Sequence, residues 1–152
     1  MSGEAIVAWR AEAWTCAASE ELAGIARPEV GMAIWLRPVD VRLADPVDAL
    51  PAESLPQLRI ERLPVNDAAA ALQAAMANSR AALPPLLDDI AALVKLHGEV
   101  AGVDEVRLRL ERVSDDACRY FHADRVRLRL LCTYRGPGTE WVPDRFVPGD
   151  CQ

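Results

Sequence analysis

The chain has 152 residues, 51% of them hydrophobic and 26% charged, with a formal net charge of -6. That length supports one domain with a real core rather than two, so residues 1–152 read as a single domain. No apolar run approaches the roughly 18 to 20 residues needed to span a bilayer, and the acidic balance argues against a general affinity for polyanions.

The amino terminus, Met1 to Trp9, has no basic leader before its short apolar patch, which reads as a cytoplasmic protein. Residues 1–64 form a mixed amino-terminal part. Gly31-Met32-Ala33-Ile34-Trp35-Leu36 reads as a buried strand ended by Arg37-Pro38, and Leu58 to Leu63 alternates imperfectly before Pro64. Between them, Val39 to Leu50 is expected to hold a short helix confined by Pro46 and Pro51.

Residues 65–98 read as helical. Asn66 or Asp67 caps an alanine-rich run, Ala68 to Ala77, whose apolar stripe is Leu72 and Met76. A second helix begins at Pro84-Pro85, where proline suits the first turn, carries Asp88 and Asp89 near its positive end, and is expected to stop at Gly98. Leu86, Ile90, Leu93 and His97 make its stripe. His97 then sits at the helix carboxyl end, where an imidazolium gains from the dipole, so a capping or packing histidine is favoured over a metal ligand.

In the β-rich part, 103–142, the period switches to two. Val106-Arg107-Leu108-Arg109-Leu110 and Val126-Arg127-Leu128-Arg129-Leu130 share one apolar-arginine pattern and predict two strands. Direct pairing would set arginine against arginine, so the two are expected to be separated by another strand or placed in opposite sheets. Gly136-Pro137-Gly138 predicts a type II turn, with proline supplying a fixed φ and Gly138 the positive one.

Metal chemistry and strand geometry coincide at Phe121-His122-Ala123-Asp124. Side chains two apart in a strand share a face, so His122 and Asp124 can present an imidazole and a carboxylate to one ion. Carrying the parity of Val126, Leu128 and Leu130 backwards turns both inward, opposite Arg125, Arg127 and Arg129. Two ligands of a 2-His-1-carboxylate iron site would then be present. The competing account makes Asp124 a turn cap and His122 a packed histidine bonded to backbone. Cys16, Cys118, Cys132 and Cys151 form no Cys-x-x-Cys pair, and without a leader they read as reduced thiols. Cys118 and Cys132 flank His122, however, and with Asp124 they would make a soft zinc site. There is no Walker-type loop or argued Ser-His-Asp set, and the arginine-rich strands lack the interleaved aromatics of a nucleic-acid binder.

The run from Cys118 to Trp141 resembles the signature of a bacterial family of unknown function, number 1826 among such domains, whose general layout also fits the helical middle and Gly31 to Arg37. Members are often encoded beside zinc-responsive metallochaperone GTPases, which implies a link to zinc homeostasis. The same segment is similar to the first half of the iron and 2-oxoglutarate oxygenase barrel. By that resemblance His122 and Asp124 are two iron ligands, with positions left for 2-oxoglutarate and oxygen. Such enzymes draw a second histidine and an arginine from later strands, whereas after Trp141 this chain offers Arg145 and no histidine, as a truncated barrel would.

The fold expected is α+β: a helical pair packed on a partial double-stranded β-helix, a jelly-roll or cupin-like sheet whose open edges a second copy or a partner chain would cover. The function expected first is divalent metal binding, iron or zinc, through His122 and Asp124, with an oxygenase-like activity if catalytic and the third ligand drawn from His97, Asp116, water or another chain. The alternatives are a non-catalytic zinc accessory using Cys118, and a metal-free interaction domain.

Overall fold

The computed structural model describes residues 12–38, 40–79, 83–114, 126–143 and 146. The protein is α+β and divides into two compact units, one of residues 1–38 with 140–152 and one of residues 39–139.

In the first unit, strand β1 (Glu12–Cys16) runs parallel to β2 (Val30–Trp35), with a register irregularity between Glu12 and Ala13. Parallel strands need a crossover. Here it carries a 3-10 helix, Ser19–Ala26, whose entry is tied by the Glu21 carboxylate accepting from the backbone N–H of Ala17 (3.1 Å) and Ala18 (3.3 Å). The Trp35 indole donates to the Ala17 carbonyl at 3.2 Å, joining the end of β2 to the chain just past β1. Cys16 is buried. β2 falls where the apolar run predicted a strand, but it is not the buried strand expected: all its residues keep some exposure, and Leu36 beyond it is 65% exposed. Among the described residues β2 has one ladder neighbour, β1, and its faces are left partly uncovered.

The second unit holds helix α1 (Val41–Ala49), strand β3 (Leu58–Pro64), helices α2 (Ala68–Met76) and α3 (Pro84–Ala101), and strand β4 (Glu105–Leu110). Asp40 caps α1, accepting from the Arg42 N–H at 2.9 Å and from its guanidinium, which holds the Asp40 carboxyl below the usual carboxylate range. The helix ends before Pro51 as expected but runs through Pro46. The proline there cannot donate to the Arg42 carbonyl, and its ring crowds that carbonyl as well.

α2 and α3 pack on each other and on β3 and β4, so the helical pair does lie on a sheet. The core is Val47, Leu63, Val65, Ala68, Leu72, Leu86, Ile90 and Val94. On α2 the buried residues are Ala68, Leu72 and Met76, one every fourth position. On α3 they are Leu86, Leu87, Ile90, Val94 and Gly98, so the buried line passes through Val94 rather than through Leu93 and His97.

β3 and β4 pair antiparallel, with Ile60 opposite Leu108 and Leu63 opposite Val106. Three residues on β3 therefore span two on β4, and Glu61 with Arg62 bulge opposite Arg107. The bulge explains the imperfect alternation of the sequence. It returns Leu63 to the face of Leu58 and Ile60, where it is fully buried. Arg59 lies directly opposite Arg109, a like-charge pairing of the kind expected to keep 106–110 and 126–130 apart. Carboxylates make it tolerable: Glu61 accepts from Arg59 (2.6 Å) and pairs with Arg107 (2.8 Å), Glu111 takes Arg109, and Glu105 takes Arg62 at 2.9 Å. The two arginines beside it hold the Glu61 carboxyl below its ordinary range.

Two further sequence expectations need correction. Gly98 does not stop α3. The helix continues to Ala101 and is capped by Gly102 in the left-handed region, φ +65°. Gly98 is instead a close-approach residue, because a Cβ there would lie 2.7 Å from both Cγ atoms of Val65. The second concerns 126–130, which form no strand, although β4 does form where Val106 to Leu110 predicted one. Among the described residues the sheets are two-stranded, β1 with β2 and β3 with β4, and no helix is long and apolar enough to cross a membrane.

Candidate metal-binding segment

His122, Asp124, Cys118 and Asp116 lie outside the described residues, and the geometry on the page is that of their flanks. Upstream, β4 ends at Leu110 and Arg112 donates to the Ala52 carbonyl at 3.0 Å. Downstream, exposure alternates without a ladder: Leu128, Leu130, Cys132 and Tyr134 are partly buried, while Arg127, Arg129, Leu131 and Thr133 are exposed. The period-two pattern of the sequence thus sorts side chains between inside and outside even though it builds no strand. It does not reach back to the ligands. The chain bends at Val126–Arg127 and Val126 is 50% exposed, so the inward parity of Leu128 and Leu130 assigns no face to His122 and Asp124.

The inward row ends on Tyr134, which packs against the core and donates its hydroxyl to Asp89 Oδ2 at 2.6 Å. Asp89 had a simpler reading as a charge near the positive end of α3; it is partly buried and also receives this bond. The parity of Leu128 and Leu130 could have flagged Tyr134, since the same step of two reaches it, but no sequence signal names Asp89 as partner. Arg135 donates to the Leu50 carbonyl at 2.7 Å and stands 3.8 Å from Asp48. In the turn that follows, the positive φ is at Gly136, +85°, rather than at Gly138 as predicted. Proline bars the preceding residue from the helical region, and glycine meets that restriction from the left-handed side.

Two sequence candidates are described. His97 is partly buried on α3, one turn before the helix ends, and burial pushes its pKa below the ordinary imidazole range. Burial disfavours the charged ring there, opposing the gain that an imidazolium would take from the helix end. Cys132 is partly buried on the side of Leu128 and Leu130. Among the described residues no three His, Cys, Asp or Glu side chains gather as a metal site. Cys16 is a different kind of thiol: burial, aided by the Glu21 carboxylate, raises its pKa and keeps it protonated.

The described elements define an α+β protein in which the arginine-patterned strand β4 leads into the segment that bears the candidate ligands. A family model described as a protein of unknown function, DUF1826, matches residues 17–151, and the chain belongs to that family. No curated protein and no solved structure matches the chain.

Proposed function

We propose that this protein binds a divalent metal ion through His122 and Asp124, with Cys118 as the third protein donor and Asp116 or Cys132 available as the fourth, and that it serves metal supply rather than catalysis. One observation carries the reading furthest. The chain has two histidines; His97 is partly buried on α3 with no group of three donor side chains around it among the described residues, whereas His122 stands within a few positions of Cys118 and Asp124.

Cys118, His122 and Asp124 fall within a few residues of one another, and a thiolate, an imidazole and a carboxylate together suit zinc better than a catalytic iron. These residues would hold the ion as a closed set, the protein donating a deprotonated Cys118 Sγ and a neutral His122. Cys132, on the inward side of its segment, is a second soft donor. The iron and 2-oxoglutarate reading retains His122 and Asp124 but needs a second histidine and a jelly roll around them.

Metal content and a zinc competition titration test the proposal. Stoichiometric zinc, bound with release of a thiol proton and lost in Cys118→Ala, His122→Ala and Asp124→Ala, is the expected result. Preference for iron(II), indifferent to Cys118→Ala and accompanied by 2-oxoglutarate-dependent oxygen uptake, would transfer the site to the oxygenase class. Protein without bound metal, whose unfolding a chelator does not move, would overturn metal binding and leave an interaction domain.

A further inference from the structure

The side of the β3–β4 sheet turned away from the core is ionic. Leu58, Ile60, Leu63, Val106, Leu108 and Leu110 belong to the core or pack against it, so the alternate positions project outward. That outer side carries four guanidiniums, those of Arg59, Arg62, Arg107 and Arg109, and three carboxylates, those of Glu61, Glu105 and Glu111. Glu61 serves both Arg59 (2.6 Å) and Arg107 (2.8 Å), so the cations outnumber their counterions. The carboxylates also lie lower. Their side chains are 45–51% exposed against 54–79% for the arginines, which leaves the guanidiniums outermost. Arg59 and Arg109 face each other across the ladder, a repulsive pairing that the carboxylates offset only in part. In a chain of net charge -6, this face is locally positive.

We propose that the outer face of β3 and β4 docks an acidic segment of a partner protein, whose carboxylates bridge the Arg59–Arg109 pair. Charge complementarity selects the occupant. A carboxylate between two guanidiniums relieves their mutual repulsion and accepts charge-assisted bonds from both. A nucleic-acid backbone suits the face less well, because its charge is continuous and would cross Glu61, Glu105 and Glu111, whereas a peptide can space its acids around them. Neither strand offers an aromatic side chain on which a base could stack. Docking through exposed ion pairs is weak and salt-sensitive, and it sets orientation and encounter rate more than affinity. It stands independently of the metal reading and uses none of its donors.

The test uses the full chain and a fluorescein-labelled octaglutamate peptide, with binding followed by fluorescence anisotropy at low and at physiological ionic strength. Saturable binding at low salt is expected, weakened about tenfold by the pair Arg59→Gln with Arg109→Gln and about threefold by either alone. Lysine at both positions should restore part of the loss, keeping the charge without the planar fork. The control pair Arg42→Gln with Lys95→Gln removes the same charge from exposed positions of α1 and α3 and should change affinity by less than about twofold. No peptide binding at low salt, or equal weakening by the control pair, would overturn the proposal. A single-stranded oligothymidylate of matched charge that displaces the peptide at lower concentration than unlabelled octaglutamate does would overturn it in favour of nucleic acid. The single variants decide the matter if the double one has a lowered urea midpoint.

Discussion

Replacing Gly98 by alanine tests how tightly α3 is seated. A Cβ at this position would lie 2.7 Å from Cγ1 and Cγ2 of Val65 and 3.1 Å from the Val103 carbonyl oxygen, about 1 Å inside ordinary carbon contact for the two methyls. Val65 has little room to yield. It is β-branched and buried, and its N–H is tied to the Asp104 carbonyl at 2.8 Å. Overpacking of this kind costs about 1–3 kcal/mol, whereas alanine over glycine within a helix returns about 1 kcal/mol. Both Val65 methyls meet the added Cβ, so the steric effect wins and a net loss of up to about 2 kcal/mol is expected. Urea unfolding measures it as a lower midpoint with an unchanged slope. A double-mutant cycle with Val65→Ala supplies the check. That substitution alone removes two methyl groups at about 0.8 kcal/mol each, and in its background Gly98→Ala should become neutral or stabilising. If Gly98→Ala raises stability with Val65 present, or costs the same without it, the close approach is not what selects glycine.

Gly102→Ala meets open space but a φ of +65°, so backbone strain alone should cost about 1 kcal/mol by urea unfolding, and Gly102→Asn less. Tyr134→Phe removes the 2.6 Å bond to Asp89 and should lower stability by about 1–2 kcal/mol, whereas a change near zero would mean that water replaces the hydroxyl freely. For His97 the folded pKa is depressed, so its contribution is fully present above the unfolded imidazole pKa, about 6.5, and is lost as pH falls through the lower folded value. Stability measured downward from pH 7 should therefore fall more steeply in the wild type than in His97→Gln; parallel curves would show that burial does not shift this group.

The sequence by itself determined the helices and the two strands of the described second unit, because those signals are local, but not the absence of a strand at 126–130. Pro51, Pro84 and the apolar spacing of Leu72 with Met76 act within one or two turns, and Val106 to Leu110 alternates by a period that only an extended chain presents to a core. The same period in Leu128 to Tyr134 sorted side chains but formed no strand, since a strand also needs a partner ladder, and that depends on neighbours distant in sequence. Tertiary structure alone decided that Gly98 is a contact rather than a stop. Val65, more than thirty positions away, supplies the reason. It also decided that Arg59 may face Arg109, through carboxylates on both strands, and that Arg112 and Arg135 meet on one turn. The donor types at Cys118, His122 and Asp124 are legible as chemistry in one dimension; their convergence on an ion is a property of three, because coordination depends on distances that spacing along a chain does not contain.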